Sequence, residues 1–548
     1  MKGIKVVQRL LRGRLNRETN RVLDSYACFV RRPQSELEEK LRQLKPEGEP
    51  TILLGATPWQ QDLVLTLDRL SAHGLIVGAS GSGKSYCALS MLSQMLSAST
   101  SNIPSFGTLD AKGELFDKAK SYLHAHLFRL SPEERERVRR RIVVIDFSND
   151  EFITPYNILA RKGYLADELM IANRIDTISE QFAGLSALSV RMRMTLKYFF
   201  LLMAEFDLPL SCFERLCVDS VLLAALVERS QNLAVRDYFL HRFDGESRST
   251  ILSVRQRIDA LLISEGVRLS LSASSAPDFT ALQDKGFIVL VNTAGRTITR
   301  GISELLQGLI LSDIKQSVFR RSSSQRFIWF FDEAQNLYKT SANREHMVDL
   351  LTMGRSFNSF FVLLTQSLTS AIRDADVLNS VLANVKWIVM LRSTLRDAEL
   401  IAPAIPATGT CAKPRRNPFE PPAYLSEAEE IRAKLREITR LPDRQAYCWL
   451  KAQLPTAVRI SPPCVREPHE IAGCRSEQFE EFVRSQPLGQ GIAKNEIARE
   501  MDQLQTRLRE LTSPAIQLVS ADGRKDGNRT KAKTLIKALE DEYAKKNQ

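Results

Sequence analysis

Short apolar runs alternate with segments of helical periodicity over much of the chain, and this alternation predicts an α/β fold. Three of the runs end on an acidic residue, at Asp110, Asp146 and Asp332. Such strands are typical of an open parallel sheet, where ligands bind beyond the carboxyl ends. We predict a mostly parallel central sheet with strands at Leu75 to Val77, Phe106 to Leu109, Ile142 to Ile145, Phe287 to Val291, Phe327 to Phe331, Phe360 to Leu364 and Trp387 to Leu391. Two short strands, at Thr51 to Leu54 and Leu63 to Leu67, precede them.

The alternation stops between about Tyr164 and Asp284, where apolar residues recur every three or four positions. Met192, Leu196 and Phe199 are examples. This pattern predicts an all-helical insertion, and the segment after about Asn495 predicts a charged helical C-terminal tail. The predicted domains are a basic N-terminal extension (1–49), a first motor part (50–163), the insertion (164–284), a second motor part (285–470) and the tail (471–548).

Net charge narrows the class of partner. The chain has 548 residues and a formal net charge of +12, which favours polyanionic partners. Charge alone does not separate nucleic acid from a membrane surface. Its eight cysteines include no C-x-x-C pair, which argues against a zinc site built on that motif.

The most apolar window, Tyr198 to Ala204, is far shorter than the ~20 residues that span a bilayer. We therefore expect no integral membrane segment. We expect a cytoplasmic protein, and a peripheral position at the inner face of the membrane stays open.

The segment Gly78 to Ser85 fits the phosphate-binding pattern G-x-x-x-x-G-K-[ST] at every fixed position. It lies between a predicted strand and a predicted helix, as the motif requires. A Gly/Ser-rich turn with a chance lysine is the alternative, and both flanks argue against it. The motif predicts that Lys84 contacts the β- and γ-phosphates of ATP and that Ser85 ligates Mg²⁺. The predicted ATP-binding residues are Gly78, Ala79, Ser80, Gly81, Ser82, Gly83, Lys84, Ser85 and Tyr86.

Adjacent carboxylates follow the apolar run Phe327 to Phe331. At the tip of a buried strand, Asp332 can hold Mg²⁺ through water, and Glu333 can polarise the attacking water. The alternative is a strand followed by a solvated turn. The presence of a phosphate-binding motif in the same chain argues against this alternative. The two motifs together predict an ATP-hydrolysing enzyme.

Four further segments are similar to motifs of one known family. They are Asp110-Ala-Lys-Gly-Glu114, Pro155-Tyr-Asn-Ile-Leu159, Gly354-Arg-Ser356 and Leu364-Thr-Gln-Ser367. With the two nucleotide motifs, they make the chain from about Pro50 to Pro462 resemble the hexameric DNA-pumping ATPases of the HerA/FtsK superfamily. Within these, the chain resembles most the type IV secretion coupling proteins of the TraG/TraD type. The resemblance implies a RecA-like P-loop NTPase core. Two departures are Ile158, where the family has proline, and the basic segment where it usually has membrane spans.

The resemblance also implies catalytic roles for two more residues. Gln366 would sense the γ-phosphate or the catalytic water, and Arg355 would enter the neighbouring subunit's site as an arginine finger. The ordinary alternatives are a satisfied amide for Gln366 and a surface arginine for Arg355. Arg373 and Arg344 are substitute candidates for the finger.

The expected function is ATP-driven translocation of DNA through the central channel of a homo-hexameric ring. A membrane secretion complex, a relaxase or a nuclease would be its partner. Two alternatives stay open, a soluble HerA-type translocase that works beside a nuclease and an ATPase that energises protein secretion. The Asp110 to Glu114 segment receives no role beyond a turn that organises the nucleotide pocket.

Overall fold

The computed structural model describes residues 39–44, 51–66, 70–97, 105–149, 151–160, 167–182, 189–243, 248–295, 298–405, 424–451, 453–454, 456–489 and 491–521. By its contacts the chain divides into two compact units. The first unit comprises residues 1–94 and 386–465, and the second comprises residues 95–385 and 466–548.

The strands alternate with helices, as the apolar runs predicted. Their bounds are β1 Thr51–Ala56, β2 Asp62–Thr66, β3 His73–Val77, β4 Ser105–Asp110, β5 Ile142–Asp146, β6 Phe152–Ile153, β7 Ile288–Asn292, β8 Phe327–Phe331, β9 Ser359–Thr365, β10 Val385–Met390, β11 Ala446–Leu450, β12 Val458–Ile460 and β13 Ile492–Ala493.

The α-helices of the described residues have the bounds α1 Lys84–Ser97, α2 Glu114–Phe128, α3 Pro132–Arg139, α4 Asp167–Phe182, α5 Val190–Glu205, α6 Phe213–Val218, α7 Ser220–Arg229, α8 Leu233–Asp237, α9 Arg248–Leu261, α10 Glu265–Ser272, α11 Phe279–Asp284, α12 Arg300–Val318, α13 Ser341–Met353, α14 Leu368–Ala371, α15 Ala375–Asn384, α16 Leu395–Ala398, α17 Glu427–Ile438, α18 Pro468–Ala472, α19 Ser476–Ser485 and α20 Lys494–Ala521. Short 3₁₀ turns at Ala334–Tyr338 and Gly354–Phe357 follow β8 and α13.

Five strands of the second unit form a parallel sheet in the order β9-β8-β4-β7-β5. Leu109 in β4 pairs with Phe331 on one side and with Val291 on the other. Because the strands are parallel and in register, the polar residues that follow them lie at one edge of the sheet. The side chains of the sheet are closely packed. A Cβ added to Gly107 in β4 would lie 2.4 Å from the ring of Trp329 in β8, so only glycine leaves room for this indole. The predicted α/β fold with a mostly parallel central sheet is confirmed.

In the first unit, β3 lies beside β10, and the order continues through β11 to β12. The pairs β10–β11 and β11–β12 are antiparallel. Gly74 in β3 admits the indole of Trp387, because an added Cβ would lie 1.9 Å from that ring. Strands β1 and β2 form a separate antiparallel pair. The sequence analysis predicted β1, β2, β3 and β10 but not β11 or β12.

Between β6 and β7 the described residues form helices and their connections, with no strand. A buried polar group joins this region to α12 within the second unit. Arg174 Nη2 donates to Asp313 Oδ1 at 2.5 Å, and the Tyr156 hydroxyl donates to Asp313 Oδ2 at 2.7 Å. Burial raises the pKa of Tyr156 well above its usual value, and the negative charge of Asp313 is the second largest cause of this rise. The phenol therefore stays protonated and the carboxylate stays paired on both oxygens.

The predicted domain bounds stay predictions. Most of the predicted N-terminal extension, and the tail beyond residue 521, lie outside the described residues. The first turn of α20 packs through Ile497 against Ile153 and Leu269 in the second unit. In the parts of the chain that the structure describes, each helix is too short or too polar to cross a membrane.

Candidate active site

The predicted phosphate-binding loop connects β3, which is buried throughout, to α1, which begins at Lys84. Two glycines give the loop its shape, since Gly81 has φ 75° and Gly83 has φ 111°. Residues with a Cβ rarely adopt these angles. A Cβ on Gly78 would also meet Ser82 Oγ at 2.4 Å. The three glycines of the motif are therefore required by the backbone that this loop adopts.

The Lys84 ammonium is folded back over the loop. Its Nζ donates to the carbonyl oxygen of Gly78 at 2.8 Å and to that of Ala79 at 3.2 Å, and the residue is only 7% exposed. The Ser82 hydroxyl also donates to the Ala79 carbonyl, at 2.8 Å. Two of the contacts that hold the Lys84 ammonium are thus with neutral carbonyl oxygens of its own loop. An anionic phosphate is a stronger partner for an ammonium than these carbonyls are.

The loop also carries backbone donors without acceptors. The N–H groups of Ser80, Gly81 and Gly83 make no hydrogen bond with any of the described residues. They precede the first turn of a 14-residue helix, where the aligned peptide dipoles favour an anion. Ser85 is half-buried in that first turn, and Tyr86 is exposed. The loop therefore has the donors and the shape that fit a phosphate chain.

One neighbour of the loop was missed by the sequence analysis. Arg444 follows α17 in the same unit, and its N–H donates to the Ser82 carbonyl at 3.3 Å. Its guanidinium lies 5.0 Å from the centre of the Tyr86 ring, a cation–π distance. Arg444 itself has φ 61°, an unusual angle for a residue with a Cβ. Nothing in the sequence near the motif signals this contact, because it arises from the packing of a distant turn.

The acidic strand end lies in the second unit. Asp332 and Glu333 are both buried, at 5% and 6% exposure. The Asp332 N–H donates to the Leu109 carbonyl at 2.9 Å, which continues the sheet, and Asp332 Oδ1 accepts the Glu333 N–H at 2.9 Å. Glu333 has φ 51°, a left-handed angle that is costly for a residue other than glycine. This turn directs the chain away from the sheet directly after the two carboxylates.

The structure brings Gln366 and Glu333 together. Gln366 Nε2 lies 3.0 Å from Glu333 Oε1 and 3.1 Å from Oε2. Lys112 Nζ contacts Oε1, and Gln335 Nε2 contacts Oε2. Gln335 is held in turn, because its Oε1 accepts the Thr365 hydroxyl at 2.9 Å and the Gln366 N–H at 3.3 Å. Lys112 and Gln335 were not predicted to contact this carboxylate.

The turn after β4 is organised by Asp110, which is fully buried. Its Oδ1 accepts the Lys112 N–H at 2.7 Å, and its Oδ2 accepts the Phe116 N–H at 2.9 Å. Burial raises the pKa of Asp110, and these backbone donors act against that rise. Gly113 completes the turn with φ 85°. The first residues of the Asp110 to Glu114 segment therefore present Lys112 at the carboxyl edge of the sheet.

The candidate finger lies apart from this cluster. Arg355 is exposed in the 3₁₀ turn Gly354–Phe357, and its side chain makes no hydrogen bond or ion pair with the described residues. Arg373 is exposed as well. Arg344 Nη1 donates to the Tyr338 carbonyl at 3.4 Å. Of the three arginines, Arg344 thus already donates a hydrogen bond within the described residues, whereas the Arg355 side chain can contact another molecule.

No family model matches the chain, and no curated protein matches it. Solved structures do. The conjugative coupling protein TrwB in complex with ADP and Mg²⁺ is 12% identical, with a TM-score of 0.49 over 78% of this chain and 92% of that chain. VirB4 of Thermoanaerobacter pseudethanolicus is 12% identical, with a TM-score of 0.46 over 78% of this chain and 99% of that chain.

A third such structure is the monomer form of the pCW3 conjugation coupling protein TcpA with ATPγS, which is 12% identical. Its TM-score is 0.29 over 79% of this chain and 72% of that chain. TrwB and TcpA are both coupling proteins, the type of protein that the sequence motifs resemble.

Proposed function

We propose that the chain is an ATPase that couples ATP hydrolysis to the movement of DNA through a ring of identical subunits. The observation that carries the catalytic part is the buried Glu333 carboxylate with the Gln366 amide at 3.0 and 3.1 Å from its oxygens. A carboxylate at a strand end, with an adjacent amide, is suited to activate and orient a water molecule. The phosphate-binding loop supplies the other half of the chemistry.

The loop binds the phosphates of ATP in this proposal. The N–H groups of Ser80, Gly81 and Gly83 donate to phosphate oxygens, and Lys84 exchanges its two carbonyl partners for the β- and γ-phosphates. The Ser85 hydroxyl and the Asp332 carboxylate are oxygen ligands of the kind that Mg²⁺ takes together with water and phosphate. Bound Mg²⁺ supplies neutralisation of the charge on the phosphate oxygens.

Glu333 acts as the general base. Its carboxylate accepts a proton from water while the water oxygen forms a bond to the γ-phosphorus. The bond from that phosphorus to the bridging oxygen breaks, and ADP leaves with the electron pair. Gln366 orients the carboxylate and the water, because its amide can donate to one and accept from the other.

Arg355 completes the site of a neighbouring subunit. Its exposure, and its lack of a partner among the described residues, suit a side chain that acts on another copy. A guanidinium in this role stabilises the charge that develops on the transferred phosphoryl group. A finger that acts in trans requires each site to have a neighbour, and a closed ring, with six subunits as in the family that the motifs resemble, meets this requirement.

DNA is the proposed substrate of the movement. The net charge of +12 favours a polyanion, and the motif resemblance implies DNA. In this proposal the chain works on the cytoplasmic side, docks on a membrane secretion complex and receives DNA from a relaxase.

The test is ATPase activity of the purified chain without DNA, with single-stranded DNA and with double-stranded DNA. We expect hydrolysis that DNA stimulates and that falls as salt rises, because contact with phosphates dominates non-specific binding. Glu333→Gln protein from the same preparation shows how much of the signal belongs to this site. Hydrolysis without stimulation by either DNA would reject the DNA part and favour the protein-secretion alternative. A chain that hydrolyses no ATP would reject the whole proposal.

A further inference from the structure

The Glu333 carboxylate has no room for the water that it is proposed to activate. Two carboxylate oxygens offer about four acceptor positions. Lys112 and Gln366 contact Oε1, and Gln335 and Gln366 contact Oε2, so three donor nitrogens make four contacts. The residue is 6% exposed. A general base must hydrogen-bond the proton that it removes. The arrangement is therefore a resting one, and at least one donor has to leave before Glu333 can act.

Lys112 is the donor best placed to leave. Gln335 is anchored by Thr365 and by the Gln366 N–H, which hold its other amide atom. The Lys112 side chain is 48% exposed, whereas Glu333 is 7% exposed in the same ion pair. Its long side chain reaches water without any movement of the backbone.

The backbone at Lys112 is held in place, although its side chain is half exposed. The buried Asp110 carboxylate accepts the Lys112 N–H at 2.7 Å and the Phe116 N–H at 2.9 Å. The last residue of the segment takes no part in this arrangement, because Glu114 pairs with Lys118 at 2.9 Å on the surface of α2. The turn after β4 therefore presents one lysine to the carboxylate.

We propose that Lys112 is a positioning residue that restrains Glu333 in a resting state and must release it for hydrolysis to proceed. This inference rests on the proposed function of Glu333 as the base. It gives the Asp110 to Glu114 segment a role in the rate of turnover, in addition to its role as a turn. The restraint acts before any DNA is bound, so it is visible in the basal ATPase rate.

The test is the basal ATPase rate of Lys112→Met, measured without DNA over a range of ATP concentrations. Methionine keeps the length and apolar stem of lysine but has no donor and no charge. We expect kcat to rise about two- to fivefold, which corresponds to a fall of ~0.4–1 kcal/mol in the activation free energy. KM should stay unchanged, because Lys112 acts through Glu333 and not on ATP. Lys112→Arg keeps the ion pair and should keep the wild-type rate.

A gain in rate is a readout that loss of structure does not produce. Lys118→Met is the matched control, because it removes a lysine from the ion pair with Glu114 on the adjacent helix α2 and leaves the Lys112–Glu333 pair in place. The double variant Lys112→Met with Glu333→Gln should fall to the level of Glu333→Gln alone, which shows that the gain passes through the base. Lys112→Gln, also uncharged, repeats the test if the methionine variant does not fold.

The possible outcomes separate this inference from the proposed function. If the wild type hydrolyses ATP and Glu333→Gln does not, but both uncharged Lys112 variants show the wild-type rate or less, the restraint is rejected and the ATPase stands. If Lys118→Met gains as much as Lys112→Met, the effect is not specific and the restraint is rejected as well. A wild type without ATPase activity removes both proposals.

Discussion

The loop and the acidic strand end differ in how their polar groups are satisfied. In the loop, the N–H groups of Ser80, Gly81 and Gly83 have no acceptor among the described residues, and Lys84 rests on two carbonyl oxygens. At the strand end, the Glu333 carboxylate receives contacts from Lys112, Gln335 and Gln366. The loop is thus open to an anion, whereas the carboxylate is closed to water.

This difference separates binding from turnover. The N–H donors of the loop can bind a phosphate chain without a change in the backbone, since its glycines already have the required angles. A carboxylate with every acceptor position engaged cannot take a proton from water until a contact breaks. An enzyme built in this way binds ATP readily and hydrolyses it slowly until something acts on the strand end.

The largest expected effect belongs to neither region. Arg355→Ala leaves the loop and the strand end intact, so the variant should bind ATP normally. Its kcat should fall by ~10³ or more, as measured for arginine fingers of other nucleotide hydrolases. Nucleotide binding by fluorescence and steady-state ATPase assays check the two parts. Arg373→Ala is the control, and a larger loss there would make Arg373 the finger.

Mixed assemblies decide whether Arg355 acts on its neighbour. Arg355→Ala subunits have intact loops, and Lys84→Ala subunits have intact fingers. Co-assembly of the two inactive proteins should restore part of the activity wherever they sit in the right order. If mixed assemblies form and the rate stays at that of the separate variants, the finger acts within its own subunit, and the argument for a ring from Arg355 fails.

The second largest effect on kcat is expected at the acidic strand end, where Glu333 lies. Glu333→Gln should lower kcat by ~10²–10⁴, the contribution of general base catalysis, because the amide cannot accept the proton. ATP binding should persist, since the loop is untouched. Glu345→Gln, on the exposed face of α13, removes a carboxylate from the same unit and should leave the rate unchanged. Normal turnover by Glu333→Gln would overturn the assignment of the base.

The sequence analysis succeeded where the signal lies in consecutive residues. The five apolar residues before Asp332 form β8, and the glycines of the loop lie at the turn between β3 and α1. It missed β11, whose five apolar residues Ala446–Leu450 alternate between buried and partly exposed positions. Contacts between distant segments were missed for a different reason.

The partners of Glu333 and Tyr86 illustrate that reason. Lys112 and Glu333 are brought together because β4 and β8 are neighbours in register, with Leu109 opposite Phe331. Arg444 reaches the loop through a turn after α17. Neither pairing follows from local periodicity or motif spacing, because the order of strands in a sheet is not encoded in any one segment. The resemblance supplied Gln366 for this cluster but gave Lys112 no contact with it.

The smallest effect is expected at the phosphate-binding loop. Arg444 adds a positive charge next to the loop and lies over the Tyr86 ring, 5.0 Å from its centre. Both contributions act on the bound nucleotide before and during hydrolysis, so Arg444→Ala should raise KM for ATP about two- to fivefold with kcat unchanged. Arg440→Ala is the matched control, because it removes an exposed arginine near the same turn whose side chain makes no cation–π contact with Tyr86. A fall in kcat at constant KM would mean instead that Arg444 stabilises the transition state and not the bound nucleotide. The division between an open loop that binds and a closed carboxylate that sets the rate would then no longer hold.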